Sequence, residues 1–190
     1  MKYARHGVAL LSALAFSTAS FGFEFSDGGY YSVNYTDLEY AIDSTNIDDN
    51  ASPKAITGAF GKHFHPLLAA EVRWGIGLGD DRLDDDTKVD VDHMIGLYLR
   101  ATSGFKSDDR LEMYAIMGYS NVTFSGTDQS QSGFTTSVHS ENGMGVGVGV
   151  GCKFNENTSF NIEYNNFFRD TEGDVKTNLT GISLGIQSGF

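Results

Sequence analysis

From residue 28 to the C-terminus, apolar side chains recur at every second position, with small, polar or charged ones between them. A period of two marks a β-strand whose two faces meet different surroundings. The clearest case is "GMGVGVGVGCKF", residues 143–154, where glycine alternates with Met144, Val146, Val148, Val150 and Cys152. A dinucleotide-binding loop needs glycines at offsets 0, 2 and 5. Here the offset-five position falls on Val148, Val150 or Cys152. A helix is excluded as well, because each interior glycine costs about 0.8–1 kcal/mol against alanine.

Eight alternating segments follow one another, near 28–37, 54–64, 67–79, 88–102, 110–124, 142–154, 158–168 and 177–190. The connections alternate in length. Residues 38–53, 80–87, 125–141 and 169–176 read as long polar loops, whereas "HP", "SGFKSDD" and "NEN" are short turns. Long loops at one end, tight turns at the other and an even strand number predict an all-β fold. The specific expectation is an eight-stranded antiparallel up-and-down transmembrane β-barrel.

The two faces are unlike. Segment 67–79 sets Leu68, Ala70, Val72, Trp74, Ile76 and Leu78 against Glu71, Arg73, Gly75 and Gly77. Segment 177–190 sets Ile182, Leu184, Ile186 and Phe190 against Gly181, Ser183, Gly185, Gln187 and Gly189, with Ser188 the exception on the apolar side. A soluble barrel would turn the polar face to water. Glycine crowded onto that face argues otherwise, because a narrow eight-stranded lumen must alternate small residues with bulky ones. The polar face therefore points inward and the apolar face outward. A symmetric "NEN" turn then sets Gly151 opposite Asn161 and Gly149 opposite Glu163.

This assignment puts Glu71, Arg73, Arg100, Glu112 and Glu163 inside as an ionic network, beside Tyr98. A buried charge is costly unless paired, so Arg100 is expected to pair with Glu112 or Glu71. Tyr31, Tyr35, Phe64, Trp74, Tyr119, Phe154 and Phe160 are candidates for the aromatic girdles of such a barrel.

Composition changes the picture in three places. The chain has 190 residues, with 23 Gly, 2 Pro and a single Cys, which suits one β-domain without disulfides. Asp plus Glu outnumber Lys plus Arg by 25 to 13, which argues against nucleic acid as a partner. Lys2 and Arg5, the apolar "GVALLSALAF" and the small residues of "STASFG" read as a signal peptide over 1–22, leaving a barrel domain over 23–190. Its removal takes two positive charges away and moves the net charge from −12 to −14.

Two motifs carry a resemblance. In "GKHFHPLLAAEVRW" (61–74) and "GCKFNENTSFNIEY" (151–164), glycine, two residues and phenylalanine end a strand, and a tight turn and an aromatic strand follow. With the terminal "LGIQSGF" (184–190), the chain resembles the small eight-stranded outer-membrane barrels of the OmpA and OmpX type. The resemblance implies residence in the bacterial outer membrane, with loops extracellular and termini periplasmic. It further implies a monomer among lipid and lipopolysaccharide, and Phe190 as the signal read by the barrel-assembly machinery. About function it says little, since members range from anchors to adhesins and enzymes.

Candidate chemistry is sparse. "VHSEN" supplies His139, Ser140 and Glu141 in what reads as a flexible loop. Lipid A deacylases of the same barrel size use Ser, His and an acid. Neighbours on an extended chain point to opposite faces, however, so His139 is badly placed to activate Ser140. The aspartates of "DDRLDDDTKVDVD" (Asp80, Asp81, Asp84, Asp85, Asp86, Asp90 and Asp92) lack the glycine after Asp86 that a calcium loop needs. They read as a hydrated loop. His63 and His65 flank a turn as interfacial residues, and Cys152 falls on the lipid face, where a thiol is unreactive.

No catalytic residue, metal or cofactor is expected. The expected function is envelope integrity or surface interaction such as adhesion, through acidic extracellular loops and a ligand that the chain does not name. A narrow porin-like channel and a lipid A-modifying enzyme are the alternatives.

Overall fold

The computed structural model describes residues 28–44, 47–79, 81–82, 87–103, 110–130, 133–172 and 175–190. These form β1 (Gly29–Ser44), β2 (Ile47–Ala51), β3 (Lys54–His65), β4 (Leu68–Gly79), β5 (Asp81–Arg82) and β6 (Thr87–Thr102). They continue as β7 (Leu111–Ser130), β8 (Gly133–Lys153), β9 (Thr158–Glu172) and β10 (Val175–Gly189). All but β2 and β5 pair antiparallel with their neighbours in chain order. β10 returns to β1 from Tyr30↔Gly189 to Asp43↔Lys176, which closes an eight-stranded barrel. Within the apolar band, closure leaves the wall with no open edge. β2 pairs with β1 and β5 with β6, as short additions at one end. The signal segment expected at 1–22 lies outside the described residues.

Alternation sorts the side chains as the pleat demands. On β8, Met144, Val146, Val148 and Val150 are exposed while Gly145, Gly147, Gly149 and Gly151 are buried. Trp74, Leu97, Leu99, Met113, Ile162 and Leu184 are likewise exposed on the outer wall. An apolar surface that continuous is not stable in water. Met144 to Phe154 covers about 33 Å of extended chain. At the ~40° tilt of barrel strands that is ~25 Å of height, the depth of an outer-membrane barrel's apolar band.

Small faces large across the strands. Gly61 lies under the Tyr30 ring, Gly118 under Tyr98, Gly149 under Tyr114 and, on the outside, Gly58 under Trp74. A Cβ at any of these glycines would overlap the ring. Gly149 pairs with Glu163 and Gly151 with Asn161, as the symmetric turn requires.

The girdle residues also point outward. Phe190 packs 6.4 Å from Tyr31 and 5.8 Å from Phe60, and Phe154 meets Phe160 edge-on at 5.9 Å, near the tight turns. Tyr35, Trp74 and Tyr119 are exposed on the same wall, farther from the tight turns.

The structure corrects the loop boundaries. Residues 38–44, 125–130, 133–141, 169–172 and 175–176 are strand, not loop. Beyond the membrane band the outer face turns polar while Leu38, Tyr40 and Phe124 fill the lumen face, so the two-residue signal fades or reverses its parity, although the hydrogen-bonded ladder continues. Four register shifts also interrupt the ladders, two of them between β3 and β4, at Lys54/Ala55 and His63/His65, and two that reshape the faces. One, between Val91 and His93, turns both Asp92 and His93 outward. The other, opposite Leu179/Thr180, buries both Phe167 and Phe168. A bulge adds one residue to one strand, which puts neighbours on the same face.

Candidate functional site

The lumen has two layers. The layer nearer the turns is ionic. Arg73 donates from Nε to Glu71 Oε2 at 2.6 Å and forks onto Glu163, at 2.5 Å to Oε1 and 2.9 Å to Oε2. Arg100 reaches Glu112 Oε2 at 3.0 Å, Glu71 Oε1 at 3.4 Å and Gln187 Oε1 at 2.6 Å. Its guanidinium lies 3.6 Å from the centroid of the Tyr114 ring, and Arg73 stands 5.2 Å from that of Tyr98. The structure thus brings Glu71, Arg73, Arg100, Glu112 and Glu163 together, with Glu71 shared by both arginines. Three carboxylates face two guanidiniums, and neutral donors satisfy the excess. Tyr30 Oη donates to Glu71 Oε1 at 2.6 Å, Thr102 Oγ1 to Glu112, and Asn165 Nδ2 to Glu163 Oε1 at 2.5 Å. Such a network is strongest when every member is satisfied, and here the Nε of Arg100 is buried without a hydrogen-bond partner among the described residues.

The layer nearer the long hairpins is apolar, against the expectation of a polar lumen throughout. Leu38, Tyr40, Val91, Met94, Phe124 and Phe168 are buried in one cluster. Tyr40 and Phe124 lie 4.8 Å apart, and Phe124 meets Phe168 edge-on at 6.1 Å. Between the layers, the Thr36 hydroxyl is hydrogen-bonded to those of Thr57 and Ser183. The successive phenylalanines 167–168 are the signal in the sequence that announces this septum. Below the ionic layer, a cleft of about 410 Å³ opens between the tight turns, with Glu112, Gln187 and His63 among its lining.

The proposed Ser–His–acid group is not assembled. His139 Nε2 meets Glu141 Oε1 at 2.7 Å on one face of β8. Ser140 points to the other face, its Oγ 2.9 Å from Thr123 Oγ1, and Thr123 stands between it and His93. These residues lie in a regular strand, not in a flexible loop. Among the acidic-loop residues, Asp92 accepts from Ser125 Oγ at 2.7 Å. Asp80 and Asp84–Asp86 lie outside the described residues, as do the side chains of 81–82. No group of three metal-binding side chains occurs among the described residues. His65 accepts from the Leu67 amide across its turn, His63 tilts against Tyr30 at 5.3 Å, and Cys152 is exposed on the outer wall.

One backbone feature escaped the sequence. β8 pairs with β7 out to Ser130↔Gly133, yet with β9 only from Lys153↔Ser159 to Val146↔Asn166. Among the described residues, 133–142 of β8 thus have no ladder partner on the β9 side, although the β9 backbone still lies against Gly145 and Gly143 as far as Arg169. Ser137, Val138, His139 and Ser140 are all exposed. The Lys153 amide donates toward β7 and the Phe154 amide toward β9. Counting back along the unbroken β7–β8 register, the N–H and C=O of Val138, Ser140 and Asn142 point to the open side.

The chain matches the model of the outer membrane protein beta-barrel domain over residues 7–187. A comparison with curated proteins finds no match. Among solved structures, the fold is similar to the outer membrane protein OprG of Pseudomonas aeruginosa. The TM-score is 0.60 at 13% identity, over 86% of this chain and 96% of that one. It is similar as well to Ail, the attachment invasion locus protein of Yersinia pestis, solved with the heparin analogue sucrose octasulfate. There the TM-score is 0.50 at 12% identity, over 84% and 99% of the two chains. The outer membrane protease OmpT of Escherichia coli also has a TM-score of 0.50, at 10% identity over 86% and 97%. At these identities the structures speak for the fold alone, and they include a protease beside an attachment protein. With an apolar wall, a filled lumen and a family match over most of its length, the chain belongs to the outer membrane protein beta-barrel domain family of the bacterial outer membrane.

Proposed function

We propose that this barrel is a non-enzymatic surface-interaction protein whose long hairpins face outward, and whose free β8 edge takes up an extended polypeptide strand. The carrying observation is that edge. From Asn142 to Gly133 it stands about 30 Å beyond the Asn121–Asn142 rim of the apolar band, and it offers unpaired backbone donors and acceptors without proline or lysine to block them. Edge addition of this kind gets affinity from main-chain hydrogen bonds and selectivity from side chains. A net charge of −12 selects against acidic partners, and it disfavours a polyanion such as the one solved with Ail. A channel is the weaker reading, since ionic and apolar layers fill the lumen. An esterase is weaker still, with Ser140 and His139 on opposite faces. In the same reading, Phe190, with its ring among Tyr31 and Phe60, is the assembly signal, and the termini lie on the periplasmic side.

A displayed library of ten-residue peptides, panned against the protein in lipid vesicles, tests the edge. Enriched peptides should be extended, proline-free and non-acidic, and should lose binding to Val138→Pro and Ser140→Pro, which remove an amide from the open side only. Peptides that bind both variants as well as the parent, or no enrichment over empty vesicles, would contradict the reading.

A further inference from the structure

The cleft of about 410 Å³ between the tight turns is the mouth of the lumen, and its floor is the underside of the ionic layer. Glu112 of β7, Ser159 of β9 and Gln187 of β10 form that floor, while Lys153 and Glu156 stand with opposite charges on the rim. Two floor groups have bonding capacity that the barrel leaves unused. Ser159 is 7% exposed, and its hydroxyl has no hydrogen-bond partner among the described residues. Gln187 turns its Oε1 to Arg100 Nη1 at 2.6 Å, which leaves its amide N–H groups to the cleft without an acceptor among the described residues. Beside them Glu112 accepts from Thr102 Oγ1 and Arg100 Nη2, whereas a carboxylate has room for about four donors.

Charge narrows the occupant. In the layer above the floor, Glu71, Glu112 and Glu163 share Arg73 and Arg100, which leaves one negative charge in excess. A fitting molecule therefore brings one positive charge, N–H donors for Glu112 and Ser159, and an acceptor close behind for Gln187. A metal ion fits poorly, since no group of three metal-binding side chains occurs among the described residues. A diamine has the charge but no acceptor. A free amino acid has both, but its carboxylate restores the negative charge in excess. The α-ammonium of a peptide, with the first carbonyl beside it, meets all three demands.

We propose that this cleft captures the free N-terminus of a polypeptide at the turn end of the barrel. The ammonium donates to Glu112 and to Ser159 Oγ, and the first carbonyl accepts from Gln187 Nε2. Capture of a terminal amine is a recurring mode of peptide recognition, and a hydrogen bond from an ammonium to a carboxylate is about twice as strong as a neutral one. The inference rests on the mouth of the lumen and is independent of the strand-edge reading.

Titration of alanyl-alanine amide into the isotope-labelled barrel in dodecylphosphocholine micelles, followed by NMR at neutral pH, tests it. The Gln187 side-chain amide and the Ser159 backbone amide should shift saturably. The N-acetylated peptide should shift neither, and putrescine and unamidated dialanine should bind more weakly. Ser159→Ala should weaken binding about three- to tenfold. Gly189 lies on the Gln187 face, and a Cβ there would meet nothing nearer than 3.7 Å. Gly189→Leu therefore fills the cleft, keeps every polar group of the floor and should abolish binding. No saturable shift with the amide, equal shifts with the acetylated peptide, or undiminished binding in Gly189→Leu overturns the proposal. Putrescine binding as tightly as the peptide, or sodium chloride alone giving the same shifts, also overturns it, in favour of a cation site without peptide selectivity.

Discussion

Replacing Arg100 by alanine is expected to destabilise the barrel by about 3–5 kcal/mol, because it leaves buried carboxylates without their cation. Arg100 is 3% exposed and Glu112 4%, so both are held inside the lumen. With Arg100 gone, Glu71, Glu112 and Glu163 face Arg73 alone. Removing Glu112 as well relieves part of that excess, so Arg100→Ala with Glu112→Ala should cost less than the sum of the two single losses. The coupling for residues in one network is typically 0.5–3 kcal/mol, roughly. Urea-driven unfolding from lipid vesicles measures all three variants, and additive losses would show that the two side chains do not interact.

The second large effect belongs to the apolar septum. Phe168 is fully buried, and its ring packs edge-on against Phe124. Truncating a buried phenylalanine removes its transfer energy and leaves a cavity, at a cost of about 3–5 kcal/mol. Phe168→Ala should lose that much in the same unfolding measurement. Phe168→Leu keeps most of the volume and should lose less than about 1.5 kcal/mol. Equal losses from both would place Phe168 outside a packed core.

How much of this the sequence announces depends on whether one face is buried. Along β4, β8 and β10 the lipid wall and the lumen differ so sharply that alternation locates the strands and assigns their faces. The "NEN" turn then fixes the β8–β9 register. Beyond Asn121, Asn142 and Asn166 the outer face turns polar, and on β7 and β9 the apolar residues move to the lumen face at Val122, Phe124 and Phe168, so the alternation that marks the lipid wall is lost and the same ladder soon reads as loop. The bulges at Asp92–His93 and Phe167–Phe168 hide for another reason. One extra residue reverses the parity, and a period-two reading has no place for it except as a strand end. The open edge of β8 is a property of pairing, which no single strand's side chains encode.

The central claim is that the apolar face meets lipid and the polar face a closed lumen. Trp74, the chain's single tryptophan, reports on it directly: it sits on the apolar face of β4, 45% exposed, over Gly58. In vesicles of phospholipid brominated near the headgroup end of the acyl chains, its fluorescence should be strongly quenched, and aqueous iodide should quench it weakly. Efficient quenching by iodide with none by the brominated lipid would put the apolar face away from the membrane and contradict the barrel described here.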